Sequence, residues 1–252
     1  MVNTFISRLS TRWRGLLQHL PSQCAVCHAW PAQRLCHACT ARFMQLQPRC
    51  STCAMPMPMP MPMPMPIPLT AAAPPQCSTC LRQPPPLDAC ITAVTYGYPW
   101  SSAIAQFKFQ GDPSWAGALA ALLHRTPQVE AALAAADWVL PIPLSRQRLQ
   151  ERGFNQALLL ARLLAPGKVS ADMLLRIQHT TAQSQLPRAQ RLSNLSGALA
   201  IEPLRQPQLQ GKSVVLIDDV MTTGATLHTA ARALRQAGAA HISALVVART
   251  EH

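Results

Sequence analysis

Asp218 and Asp219 are the only neighbouring acids in this chain of 252 residues, and their surroundings give the pair a use. Val214-Val215-Leu216-Ile217 leads into them as a buried parallel strand would. Thr222-Thr223-Gly224-Ala225-Thr226 follows as a loop of small and hydroxyl-bearing residues, and Leu227 to Ala237 has helical spacing closed by Gly238. Strand, acids, loop and helix in that order make a sugar-phosphate site. Loop amides at the positive end of a helix dipole favour a phosphate. Gly224 lets the backbone approach, and the threonine hydroxyls add donors without bulk. Carboxylates one step upstream accept from ribose hydroxyls and repel the phosphate toward the loop. In an open α/β sheet ligands sit beyond the strand C-termini, where these residues fall. An acidic metal pair, a helix cap or an ordinary strand-to-helix turn accounts for parts of the stretch, but not for all of them in sequence.

The second set of reactive residues is sulfur. Eight of the nine cysteines form four Cys-x-x-Cys pairs: Cys24/Cys27, Cys36/Cys39, Cys50/Cys53 and Cys77/Cys80. Two intervening residues bring both sulfurs to one metal at about 2.3 Å, so eight thiolates make two structural Zn2+ sites with no open position for water. Without a signal-peptide pattern disulfides are the weaker reading, since a reducing cytosol disfavours them, and a redox dithiol is weaker still, since four copies in one segment exceed what such chemistry needs. The gap between the first two pairs is 8 residues and that between the last two is 23. Residues 55–68 are a Met-Pro run of 14, and without it the second gap falls to 9, so we read two tandem ribbons with the run inserted in the second. Proline removes amide donors, which predicts solvated polyproline II for the run. Sequential pairing of the ligands is the simplest assignment, and an interleaved one also satisfies the spacing. His28 and His37 adjoin ligands without a ligand's spacing, and Cys90 reads as a core thiol.

These groups need elements to hold them. Residues 90–98 read as a strand, 100–108 and 114–125 as helices, and 137–140 as a short strand breaking at Pro141 and Pro143. Ser145 can cap the next segment, which carries Arg146, Arg148 and Arg152 and leads into a helix over 156–165. A strand end with rigid prolines and an arginine cluster suits pyrophosphate or an anionic acceptor. Residues 178–196 lack an apolar period and read as a loop or lid in which Gln185, Arg188, Arg191 and Asn194 can close over a ligand. Alternation through to His241–Ala248 predicts an α/β fold, a mainly parallel sheet flanked by helices, behind an N-terminal double zinc ribbon.

Composition sets the frame. With 22 basic against 10 acidic residues the net charge is +12, and 19 of the basic residues are arginine. Guanidinium forks suit phosphate and nucleic acid. Residues 1–87 hold seven arginines and no acid, which puts a boundary near residue 87. Eight thiolates with two Zn2+ ions bring −4 and leave +3 on that segment, which weakens a DNA-binding reading of it. There is no apolar run long enough for a transmembrane helix and no signal-peptide pattern. Residues 1–20 form a basic amphipathic helix pattern that either docks on the protein itself or touches an anionic membrane, so the expected place is the cytoplasm, with the inner membrane face as the alternative. The expected domains are 1–20, 21–86 and 87–252.

The stretch from Val214 to Thr226 resembles the PRPP fingerprint of type I phosphoribosyltransferases. The resemblance implies that Asp218 and Asp219 hold the ribose hydroxyls, and that Val220, Met221, Thr222, Thr223, Gly224, Ala225 and Thr226 form the 5-phosphate loop. The whole chain resembles the ComF/GntX family, through its paired Cys-x-x-Cys ribbon, Phe107-Lys108-Phe109-Gln110-Gly111, Pro141-Ile142-Pro143-Leu144-Ser145 and Arg152-Gly153-Phe154-Asn155-Gln156. That likeness makes Pro143, Leu144 and Ser145 the pyrophosphate loop, and Lys108 and Arg152 candidates for pyrophosphate or acceptor contacts. It implies PRPP with Mg2+ as ligand, Zn2+ in the ribbon, and single-stranded DNA and the DNA-uptake machinery as partners. The reaction it implies is displacement of pyrophosphate from ribose C1 by a nucleophile. A PRPP sensor, and a zinc-dependent DNA-binding protein using its second domain as scaffold, are the rival readings.

Overall fold

A computed structural model describes residues 22–58, 75–177 and 198–251. The basic amphipathic stretch, most of the Met-Pro run and the segment read as a lid lie outside the described residues. Two compact units divide between Met44 and Gln45. In Met1–Met44 the first pair of cysteine knuckles carries helix α1 (His37–Phe43), which starts directly after Cys36.

Within Gln45–His252 the order is α2 (Ser78–Arg82), β1 (Ala89–Thr95), α3 (Trp100–Phe109), α4 (Trp115–His124), α5 (Val129–Ala135) and β2 (Trp138–Pro141). It continues with α6 (Arg146–Arg152), α7 (Gln156–Leu164), β3 (Leu174–Arg176), β4 (Leu199–Ile201), a 3-10 helix (Pro203–Leu209), β5 (Ser213–Met221), α8 (Ala225–Gln236) and β6 (His241–Arg249). The main sheet has strand order β1-β6-β5-β2 with every pairing parallel, aligning Leu140 with Leu216, Leu216 with Ala244, and Ala244 with Cys90. Parallel strands covered on both faces need continuous apolar runs, and Val214 to Ile217 and Ile242 to Ala248 are all buried.

The period of two sorts these residues between faces. Val214, Leu216, Ala244 and Val246 share one cluster with Leu227 and Leu234 of α8 and with Cys50, Cys53 and Cys80. Helices α4 and α7 pack on each other, α4 also on β6 and α7 also on β2 and β5. The predicted strands and helices thus appear within a few residues of their expected bounds. Helix α5, the 3-10 helix and the antiparallel β3–β4 pair were not anticipated. Strands of three residues, paired from Leu174 to Ile201, carry no period from which to read them. Among the described residues no helix is long and apolar enough to cross a membrane.

Candidate functional site

Strand β5 delivers its acids to the sheet's C-terminal edge, where a pocket of about 480 Å³ opens between the ends of β2 and β5 and the start of α8. That is an ordinary size for a small-molecule site. Asp219 is 5 % exposed and accepts an ion pair from Lys108 Nζ at 2.8 Å. Lys108 comes from the last turn of α3, so the pair closes across the sheet edge. Asp218 lines the same pocket and accepts from the Asp219 amide at 2.9 Å. Burial, and then the neighbouring Asp219 charge, push Asp218 up to about 7, while Lys108 works in the opposite direction.

After the acids the backbone turns at Gly224, the N-cap of α8, with φ at +79°. A Cβ there would overlap Met221 Cε and lie 2.9 Å from His228 Nε2, so the conformation favours glycine and any side chain would have to displace Met221. The Thr223 hydroxyl accepts from the Ala225 amide at 3.3 Å and shapes the turn. His228 lies one helical turn into α8, and burial holds it down at about 4. It is therefore neutral at physiological pH.

The opposite wall is basic. Ser145 N-caps α6 by accepting from the Arg148 amide at 3.3 Å, and Gly153 ends that helix at φ +76°. Asn155 caps α7 and donates to Ile142 O at 3.0 Å, fixing the proline turn after β2. Arg152 stacks over the Phe109 ring at 5.3 Å and donates to Gln156 Oε1 at 3.1 Å. Lys108, Arg148, Arg152 and Arg176 all line the pocket, facing Asp218 and Asp219. Of the predicted residues, Lys108, Pro143, Leu144, Arg152, Asp218 to Thr222 and Gly224 to Thr226 line it. Ser145 and Thr223 instead hold backbone from behind. Sequence reasoning missed Arg176, whose Nη1 donates to Pro143 O at 3.4 Å from β3, and the aromatic rim of Tyr96 and Phe109.

The cysteines gather as two sets, Cys24/Cys27/Cys36/Cys39 and Cys50/Cys53/Cys77/Cys80, each with its sulfurs within 4.8 Å of one another. This is the sequential assignment. The sets are structural copies. Cys27 Sγ to Cys36 Sγ is 3.6 Å and Cys53 Sγ to Cys77 Sγ is 3.7 Å. Those spacings match the edge of a tetrahedron with metal–sulfur bonds of about 2.3 Å, roughly 3.8 Å, and exceed any disulfide. The Cys36 amide donates to Cys24 Sγ at 3.4 Å and the Cys77 amide to Cys50 Sγ at 3.3 Å. The residue after each first knuckle, His28 or Ala54, is left-handed. Burial opposes ionisation of Cys24 and Cys50, but backbone donors outweigh it and bring them to about 6 and 7. Burial raises Cys39 to about 12 and Cys53 to about 11. Four sulfurs at metal-edge spacing in each set, five of the eight cysteines being buried, fit a structural Zn2+ ion at each centre.

Residues 152–252 match the phosphoribosyl transferase domain family. DNA utilization protein YhgH of Salmonella typhimurium is 32% identical over 208 residues, covering 80% of this chain and 90% of that protein. Competence protein F of Haemophilus influenzae is 32% identical over 179 residues, with 69% and 78% covered. Competence protein ComFC of Bacillus subtilis is 36% identical over 158 residues, with 62% of each chain covered.

Proposed function

Because this chain belongs to the family of competence protein F and DNA utilization protein YhgH, we propose that its pocket binds PRPP with Mg2+ and that it acts in the handling of incoming DNA. One arrangement carries the reading: twin carboxylates stand one step before a glycine turn at a helix start, opposite a wall of four cationic side chains in the same pocket. Asp218 and Asp219 accept from the ribose hydroxyls, and the amides of the 222–226 loop with the hydroxyls of Thr222 and Thr226 take the 5-phosphate. Lys108, Arg152 and the Pro143–Ser145 turn take the pyrophosphate, with Arg148 and Arg176 beside them. Mg2+, held with PRPP beside Asp218 and Asp219, would supply charge neutralisation for the pyrophosphate.

As a phosphoribosyltransferase, the chain positions C1 for attack. An acceptor nucleophile forms a bond to C1 as the bond to pyrophosphate oxygen breaks, and the leaving electron pair departs with pyrophosphate. The transition state resembles an oxocarbenium ion, so positioning and charge stabilisation do most of the work. The test is calorimetry of Mg2+ and PRPP on zinc-loaded protein, with pyrophosphate release followed over a panel of nucleobases and single-stranded DNA. Saturable binding with release supports the transferase, and heat no greater than dilution rejects the whole reading.

A second reading is a PRPP sensor serving the DNA-uptake machinery. The ion pair between Lys108 and Asp219 favours it, because a lysine that neutralises a ribose-binding acid must be displaced before the ligand seats. Saturable binding without pyrophosphate release selects it.

The Asp218 carboxyl gives binding a pH dependence. It accepts from a hydroxyl or a cation best when ionised, and in the free pocket it is half protonated near pH 7. Binding at about pH 6 is therefore expected to release up to one proton, falling toward none above about pH 8, as affinity rises with pH and levels off. Calorimetry in two buffers of different ionisation enthalpy reads the proton count, corrected for PRPP binding Mg2+ alone. Proton uptake at pH 6 contradicts the expectation.

A further inference from the structure

Arg249 closes β6 with its side chain inside the protein, and the residue is 7 % exposed. Its Nε donates to Cys53 O at 3.0 Å. Its Nη1 donates to Met221 O at 3.1 Å and Thr250 O at 2.8 Å, and also contacts Thr222 O. One rigid planar group therefore joins the backbone of a cysteine in the second centre to the carbonyls that open the phosphate loop. A parallel thread runs through Cys90. Its amide donates to Ser51 O at 2.8 Å, and its thiol lies 3.5 Å from Met221 Sδ.

Charge makes the link conditional. A buried guanidinium is costly unless its charge is compensated. A four-thiolate centre holding a divalent ion has net charge −2, and two arginines reach its turn: Arg249, and Arg49 through Ala54 O at 3.0 Å. The centre and the two guanidiniums balance when the centre is loaded.

We propose that Arg249 is a positioning residue for the phosphate loop, coupling occupancy of the second four-cysteine centre to PRPP affinity; this rests on the PRPP reading above. Coupling between two sites is reciprocal and ordinarily spans about 5- to 150-fold. At equilibrium, saturating Mg2+ and PRPP should then raise by roughly tenfold the chromogenic-chelator concentration that strips half the zinc from the second centre, and leave the first unchanged, a size within that range. Cys27→Ser, which removes the first centre, assigns the two steps of release. Arg249→Lys keeps the charge and loses the fork. It is expected to weaken PRPP binding about tenfold, keep its zinc content, and reduce the effect of PRPP on release to less than about twofold. A purely structural role for Arg249 moves stability but not this linkage. Release from the unaltered protein that ignores PRPP overturns the proposal, and that measurement stands even if the lysine variant fails to fold. If the unaltered protein binds no PRPP, the functional reading fails by itself. Hydrogen exchange at residues 221–226 in Arg249→Lys then judges the positioning role: faster exchange there, with the rest of the sheet unchanged, supports it, and unchanged protection overturns it.

Discussion

Cys80→Ser is expected to unfold the Gln45–His252 unit, while the matching change in the first centre, Cys39→Ser, leaves that unit's melting transition in place. The two cysteines have the same role in two copies of one motif, but their surroundings differ. Cys80 shares a core with Leu87, Leu140, Leu216 and Val246, so the second centre is part of what packs against the sheet. Cys39 belongs to Met1–Met44. Structural zinc contributes on the order of 10–16 kcal/mol in small peptides, comparable to or above the roughly 5–15 kcal/mol that keeps a domain folded. Losing one of four sulfurs also leaves Cys50 and Cys53 as metal-free thiols in an apolar core, with Cys53 pushed up to about 11. Circular dichroism melts with zinc stoichiometry check this. Coincident loss of the sheet transition in both variants, or in neither, contradicts it.

Gly224→Ala is expected to cost about 2–5 kcal/mol of stability and at least a hundredfold in PRPP affinity. Holding alanine in the left-handed region costs about 1–2 kcal/mol. Its methyl group would then enter space taken by Met221 Cε and crowd the His228 ring, adding an overpacking cost of about 1–3 kcal/mol. Met221 is flexible in principle, but it is 2 % exposed and lies against Cys90, which limits how far it can retreat. Any relief must come from the loop, and the phosphate would then lose amide hydrogen bonds worth about 1.5–3 kcal/mol each, so two lost bonds are enough for a hundredfold loss. Gly211 is the control. It has φ +69° with nothing near its missing Cβ, so alanine there should cost about 1–2 kcal/mol and leave PRPP binding intact. Denaturant titration and calorimetry of both variants decide the matter, and equal losses in the two would refute the packing argument.

The strand, turn and helix around Asp218 and Asp219 were legible because their signal is local. An apolar strand, two acids, a glycine turn and a helix face all lie within one short stretch, and each has its own periodicity or conformational demand. The cap at Ser145 was legible for the same reason, and so was the duplication of the ribbons once the Met-Pro run was set aside. The partners that complete the site were harder to see. Lys108 and Asp219 meet across 111 positions, and nothing in either neighbourhood encodes the other. Arg176 reaches the pocket from a strand of three residues. Arg249 lies one residue past the strand expected over 241–248, and nothing in its neighbourhood marks its side chain as buried. The sequence spacing also gave no sign that the second ribbon packs into the sheet while the first forms a separate unit; burial of Cys50 and Cys53 among strand residues is a tertiary fact.

The strand order carries a consequence for synthesis. Strand β1 finds its hydrogen-bonding partner in β6, with Ala89 paired to Ser243, and β2 finds its partner in β5, with Trp138 paired to Val214. Apart from an isolated bridge between Val139 of β2 and Val169, no strand of the main sheet can be paired before residue 213 has been made, and β1 remains unpaired until 241–249 emerge. Such non-local closure is intrinsically slow and leaves apolar edges open during translation. Nascent chains of this protein should therefore need chaperone protection late, when β5 is out and β6 is still inside the ribosome.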